Sequence, residues 1–223
     1  LDQHLVETGR YASRSRAADA IRRGCVMVDG RVETRTSAPV STSDRIEIAD
    51  EASGYVSRAA LKLKAGLEAS GYLPAGRVAL DIGASTGGFT QVLLEGGAIS
   101  VIAVDVGHGQ LDPKIANDPR VTSLEGINAR DLTREAIGND PVGFVVADVS
   151  FISLRLALPA ALELAEPGAF GVFLVKPQFE VGREHIGKGG LVRDAAIAEE
   201  VARDVADWIG EQHGWRLTRF LTS

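Results

Sequence analysis

Three charged residues and one glycine-rich stretch hold the chemistry that can be read in this chain. Asp148 and Lys176 each close an apolar, strand-like run, Lys62 lies in a helical segment, and the stretch is Leu80-Asp81-Ile82-Gly83-Ala84-Ser85-Thr86-Gly87-Gly88-Phe89-Thr90. A lysine whose charge is disfavoured by burial and by a second cation can take a proton from a weakly acidic hydroxyl, with an aspartate positioning it. Such a pair suits displacement at a sulfonium methyl, where the protein orients both reactants and removes the acceptor's proton. An isolated lysine is ordinarily a solvated surface group; Lys176, between Val175 and Pro177 at a strand end, is less ordinary. Spacing alone leaves the direction of Lys62 open.

These side chains need a scaffold that gathers strand ends. Strand-like runs at 78–82, 101–104, 121–124, 144–147 and 172–175 alternate with helical patterns at 58–70, 86–95 and 195–212, with a short helical stretch after the second run. Continuous apolar strands between helices predict a parallel sheet covered on both faces, an α/β doubly wound domain. A further strand is expected at 216–221. Ahead of this domain, Leu1, Leu5 and Val6 have helical spacing, Ser13 is placed to cap a second helix ending at Gly24, and Val26-Met27-Val28, Asp29-Gly30 and Arg31-Val32 spell a hairpin. A strand at 45–48 would complete a small α+β module. The expected division is a module over 1–50, a linker over 51–54 and the larger domain over 55–223.

In a doubly wound sheet the ligand lies at the carboxyl ends of the strands near the point where strand order reverses, which makes the 81–88 turn the natural floor. Gly83, Gly87 and Gly88 stand where a ligand would approach the backbone, with Ser85, Thr86 and Phe89 completing the expected cofactor-facing set. A phosphate-binding P-loop would need Gly-Lys-Ser/Thr, and no Lys follows Gly87-Gly88. A dinucleotide fingerprint would need a Gly where Ser85 stands. Nucleotide phosphates are therefore disfavoured and S-adenosylmethionine is favoured. Asp105, closing the second strand, can accept both hydroxyls of an adenosine ribose. Asn128 is either an adenine-edge contact or a loop residue, and Asp81 orients either the turn or the methionine ammonium group.

The bulk properties bound the alternatives. With 223 residues, 45% of them hydrophobic, the chain can bury one sizeable domain and a small appendage. No stretch approaches the ~20 apolar residues that span a bilayer, and the start carries no secretory pattern, so no stable membrane insertion and a cytoplasmic location are expected. The missing initiator Met and the finish just after an apparent strand read as a fragment. A single cysteine, Cys25, excludes an internal disulfide and reads as a small buried apolar residue; four scattered histidines lack zinc-site spacing, so no metal is indicated. The net charge of −6 argues against a uniformly basic nucleic-acid binder, yet residues 10–35 hold seven arginines against three acids, a local +4. Arg10, Arg14, Arg16, Arg22 and Arg23 are the RNA-facing candidates, joined by Arg183 and Lys188 on a glycine-rich loop beside Lys176 that is equally readable as a solvated connection.

Five stretches together resemble the TlyA family, haemolysin-like proteins or ribosomal-RNA 2′-O-ribose methyltransferases within the FtsJ-like group. They are Tyr55-Val56-Ser57-Arg58-Ala59-Ala60-Leu61-Lys62-Leu63, the turn Asp81 to Thr90, Asp105-Val106-Gly107-His108-Gly109-Gln110-Leu111, Ala147-Asp148-Val149-Ser150-Phe151-Ile152-Ser153-Leu154, and Val175-Lys176-Pro177-Gln178-Phe179-Glu180. The first module resembles the αL RNA-binding fold of a small-subunit ribosomal protein. The resemblance implies a Rossmann-like S-adenosylmethionine-dependent methyltransferase domain preceded by a small α+β RNA-binding domain. It further implies methylation of cytidine ribose in ribosomal RNA within ribosomal subunits, and a Lys-Asp-Lys-Glu tetrad whose first three members map to Lys62, Asp148 and Lys176, with the closing Glu beyond Ser223. Three other functions compete: base amino-group methylation, for which both prolines of the expected motif are missing after Asp148; a catalytically silent RNA-binding or ribosome-assembly factor; and a membrane-lytic protein.

Overall fold

The computed structural model describes residues 1–222, which separate into two compact units, one ending at Gly54 and the other starting at Tyr55. Among the described residues no helix is long and apolar enough to cross a membrane.

The first unit packs α1 (Asp2–Glu7) and α2 (Arg14–Arg22) on a small antiparallel sheet of β1 (Val26–Val28), β2 (Arg31–Val32) and β3 (Ile46–Ile48), ordered β2-β1-β3. Ser13 caps α2 by accepting the Arg16 amide at 3.4 Å, as its sequence position predicts. Asp29 and Gly30 both take positive φ, the requirement of a two-residue hairpin turn whose twist matches its strands. Leu5, Ala17, Ala20, Ile21 and Val26 are fully buried between the layers. This core is small, and a polar lock supplements it. Arg23 donates to both oxygens of Asp50 at 3.0 and 2.9 Å and to Asp19 at 2.9 Å, while the Tyr11 hydroxyl and the Ala52 amide also reach Asp50, at 2.9 and 3.1 Å. Burial opposes the charge on Asp50, but Arg23, Tyr11 and Ala52 outweigh it and hold the carboxyl below its usual range. Burial and the neighbouring Asp50 raise the Tyr11 phenol. Cys25 is half-buried rather than buried, its Sγ accepting from Arg23 at 3.1 Å.

In the second unit α3 (Ala59–Ser70) ends at the left-handed Gly71 and precedes β4 (Val78–Ile82), α4 (Gly88–Glu95), β5 (Ser100–Asp105), α5 (Pro113–Ala116) and β6 (Val121–Glu125). Then follow α6 (Arg134–Ile137), β7 (Val142–Ala147), α7 (Leu154–Ala157), α8 (Pro159–Leu164), β8 (Ala165–Phe173) and α9 (Ala195–Gly210). The strands form one parallel sheet ordered β6-β5-β4-β7-β8. Every residue of β4 and β7 is buried because helices cover both faces. Leu80, Ile82 and Val145 point into one core with Leu154, Leu158 and Val205; Ala79, Phe144 and Val146 point into the other with Leu63, Phe89 and Leu93. From β4 the chain builds outward to β5 and β6, then crosses back to β7, so order reverses at β4 and a crevice opens at its carboxyl end.

Two expected strands need correction. The last strand of the sheet is β8 at Ala165–Phe173, not 172–175: its ladder jumps from Val142–Ala165 to Phe144–Phe170, and the bulge of Glu166-Pro167-Gly168 hides the strand in the sequence. Lys176 therefore lies beyond the strand rather than at its end, although the Leu174 amide still bonds the Ala147 carbonyl at 2.9 Å. Residues 216–221 form no strand, having no ladder partner among the described residues; Trp215, just before them, packs its ring on Phe173. The final helix is two residues shorter than expected, and α7 and α8 fill a stretch the sequence reading left without helices.

Candidate active site

The turn after β4 is shaped chiefly by the chain itself. Gly83 has φ +82, and a Cβ there would sit 3.1 Å from the Asp148 carbonyl oxygen and from Val149 Cγ1. A Cβ on Gly88 would meet Ser57 Cβ at 2.7 Å, and one on Gly87 would meet Leu111 at 2.8 Å. At these glycines protein neighbours already make a close approach that a Cβ would obstruct. Ser57, on the segment leading into α3, is a site residue that the sequence reading did not single out.

Asp105 fastens the turn to β5. Its Oδ2 accepts the Ser85 amide and its Oδ1 the Gly107 amide, each at 2.8 Å, and a carboxylate still has lone pairs free for hydroxyls. The Ser85 hydroxyl donates to Gln110 Oε1 at 3.2 Å. Asp81 does not face the crevice openly. It is wholly buried, with Oδ2 accepting the Thr90 hydroxyl at 2.7 Å and Oδ1 lacking any hydrogen bond. Burial, reinforced by the charges of Asp148 and Asp105, pushes its carboxyl up to about 7. Asn128 caps a single 3-10 turn (Ala129–Asp131) through the Arg130 amide at 3.1 Å and does not line the hollow.

At the neighbouring strand ends the structure brings Lys176 and Asp148 together. Lys176 Nζ lies 2.8 Å from Asp148 Oδ1, with side chains 20% and 18% exposed. The contact is an ion pair by distance but is not aligned as a hydrogen bond, since Oδ1 has no hydrogen-bond partner; the ammonium donates instead to Ser150 Oγ at 2.8 Å and weakly to the Asp148 carbonyl at 3.5 Å. Ser150 is a second residue that sequence reasoning missed, though it lies two positions from Asp148. Lys62 is not brought in. Ala59, Lys62 and Gly66 share one helical stripe whose ends touch the hollow and Val172 of β8, but Lys62 itself is exposed and outside the hollow's lining. The closing glutamate expected beyond Ser223 lies outside the described residues. Phe151 takes φ +65, a left-handed backbone that costs a non-glycine residue about 1–3 kcal/mol, and is 92% exposed.

The result is one open hollow. Gly83, Ser85, Thr86, Gly88 and Phe89 form its turn side, Asp148, Ser150 and Lys176 its opposite side, and Ser57, Ala59 and Ala84 complete it. Gly87, Asp81 and Asp105 stand behind this lining rather than in it. The loop after Lys176 is exposed at Arg183 and Lys188 and is pinned by one bridge, Ile186 to Val192.

The arginines of the first unit divide by engagement. Arg23 is consumed by Asp50 and Asp19, and Arg10 donates to the Ile46 carbonyl at 2.8 Å, so both hold the module together. Arg16 donates to the Ala52 carbonyl at 3.4 Å. Arg14 pairs with Asp2 at 2.9 Å yet remains 66% exposed, and Arg22 is exposed on α2.

A parallel sheet reversing at β4, with a Gly turn and an acidic residue closing β5 beside a Lys-Asp pair past β7 and β8, defines a Rossmann-like doubly wound class of fold with its site at the strand ends. Residues 55–221 match the FtsJ-like methyltransferase family and residues 1–46 the S4 domain. The chain belongs to the FtsJ-like methyltransferase family. It is 47% identical over 216 residues to the 16S/23S rRNA (cytidine-2′-O)-methyltransferase TlyA of Mycobacterium tuberculosis, covering 96% of this chain and 80% of that one. It is 41% identical to Hemolysin A of Brachyspira hyodysenteriae, covering 90% and 83%. A solved structure of a provisionally named hemolysin from Streptococcus thermophilus superposes with a TM-score of 0.71 at 38% identity, covering 93% of this chain and 76% of that one.

Proposed function

We propose that this protein transfers a methyl group from S-adenosylmethionine to the 2′-hydroxyl of cytidine in ribosomal RNA, with the first unit docking RNA and the second catalysing. The observation that carries this reading is the Lys176–Asp148 pair facing the Ser85–Phe89 turn across one hollow. The donor set fits the cofactor. Among the described residues Lys176 is the one cation in the lining, too few for a polyphosphate, whereas Asp148 in the wall and Asp105 behind the turn suit a ligand bearing an ammonium and ribose hydroxyls. When bound, S-adenosylmethionine supplies an electrophilic methyl carbon.

The chain's own residues supply orientation and a proton acceptor. Lys176, after passing one proton to solvent, takes the ribose hydroxyl proton onto Nζ as the oxygen attacks; Asp148 and Ser150 are positioned to hold the ammonium that results. Asp105 offers its remaining lone pairs to the adenosine hydroxyls. Lys62 joins only after its long side chain swings toward the hollow from the stripe it shares with Ala59. Arg14, Arg16 and Arg22, with Arg183 and Lys188, are the proposed phosphate contacts. A ribosomal substrate assigns the enzyme to the cytoplasm.

The test is transfer of labelled methyl groups by the full protein onto isolated small and large ribosomal subunits, followed by nuclease digestion and mass spectrometry. Label in 2′-O-methylcytidine is the expected result. Label on a base, or none in either subunit, overturns the proposal.

A further inference from the structure

The two loops that carry the reacting pair are stitched at three levels. Nearest the hollow, Lys176 Nζ engages Asp148 and Ser150. Next, the rings of Phe151 and Phe179 meet with centroids 5.2 Å apart. Outermost, the Glu180 carboxylate accepts the Ser153 hydroxyl on Oε2 at 2.5 Å and the Leu154 amide on Oε1 at 2.8 Å. Both its oxygens are thus engaged at the start of α7, and Glu180 is not among the residues lining the hollow.

The loop leaving Asp148 needs such a tie. Its backbone reverses through the left-handed Phe151, which is almost wholly exposed, so burial of that side chain does not hold the turn. On the opposite strand of the stitch, the amides of Phe179, Glu180 and Val181 bond back to the carbonyls of Lys176 and Pro177 at 2.9–3.0 Å. That compact turn makes the span from Lys176 to Glu180 move as one piece. Shifting Glu180 therefore shifts Lys176 relative to Asp148.

We propose that Glu180 is a positioning residue for methyl transfer: by clamping Ser153 and Leu154 it fixes the separation of Lys176 and Asp148. This rests on reading those two residues as the reacting pair. A misplacement of about 1 Å at a reacting group can cost on the order of 100-fold in rate.

The experiment measures methyl transfer to ribosomal subunits by the full protein, with S-adenosylmethionine binding followed by calorimetry. Glu180→Ala is expected to lower kcat roughly 10- to 100-fold while S-adenosylmethionine stoichiometry and KM stay within about twofold. Glu180→Gln keeps an oxygen for the Leu154 amide and is expected to recover most of that loss. Ser153→Ala is expected to impair the wild type but to add little to Glu180→Ala, since the clamp is already gone. Wild-type kcat in Glu180→Ala overturns the inference, and so does a fall in kcat matched by an equal fall in bound S-adenosylmethionine, which marks a merely structural role. Lys176→Ala, run alongside, separates the two levels: an active Lys176→Ala removes the underlying reading, whereas an inactive one beside an unimpaired Glu180→Ala removes the clamp alone.

Discussion

Two ion pairs of nearly equal length sit in the two units and serve opposite ends. Arg23 and Asp50 meet at 2.9 Å, Lys176 and Asp148 at 2.8 Å. In the first, a planar guanidinium fork meets a carboxylate that is 2% exposed, and both of its oxygens also receive a further donor, from Tyr11 or Ala52. In the second, a point charge on a flexible stem lies beside an oxygen that receives no aligned hydrogen bond, at the wall of an open hollow. A pair whose valences are all filled can only hold structure. A pair with a lone pair unspoken for, at an accessible wall, can receive something else.

Breaking each pair tests this contrast. Lys176→Met and Asp148→Asn are each expected to reduce rRNA methylation by about 10²–10⁴-fold with little change in melting temperature; retained turnover in both would erase the distinction from the catalytic side. Asp50→Asn removes the charge opposite Arg23, which stays partly exposed and keeps Asp19, and is expected to cost about 1–2 kcal/mol of stability in the first unit, measured by urea unfolding, without altering S-adenosylmethionine affinity. Asp81 sharpens the comparison through pH. Its folded carboxyl, raised by burial to about 7, keeps a proton that the unfolded chain has already released, so this group favours folding at low pH and loses that contribution as pH rises toward and through 7. Asp81→Asn can still accept the Thr90 hydroxyl, and its stability relative to wild type is expected to improve steadily between pH 5 and pH 8; a flat difference would show that the carboxyl is not protonated in the fold. The smallest effect belongs to Arg14, whose exposed pair with Asp2 contributes under about 1 kcal/mol. Arg14→Ala is expected to leave melting unchanged while lowering the salt dependence of RNA binding by about one counterion.

The parallel sheet was readable because β7 is a continuous apolar run and β4 is broken only by Asp81, the pattern expected of strands covered on both faces. The hairpin was readable because Asp29-Gly30 supplies the two positive φ angles its turn requires. β8 was not, since its bulge interrupts the apolar run with Glu166-Pro167-Gly168 while ladder pairing resumes on the far side. At the site, strand ends pointed to the region of Lys176 and Asp148, although Lys176 lies beyond β8 rather than at its end, whereas Ser57, Ser150 and Glu180 make contacts between segments distant in sequence, which no local pattern encodes. The arginines of the first unit show the same limit: Arg22 and Arg23 are adjacent and chemically identical, and only the fold hands Arg23 to Asp50.

Gly83 packs against the backbone that carries Asp148: a Cβ there would lie 3.1 Å from the Asp148 carbonyl oxygen, on a left-handed backbone of φ +82, so a side chain would be strained and would push on that segment. On the proposed function, the turn that would hold the cofactor and the segment that would serve turnover meet at this seam. Any side chain introduced there pries the loop that cradles one substrate from the segment that activates the other. On the proposed function, a side chain at this position is expected to alter affinity and rate together.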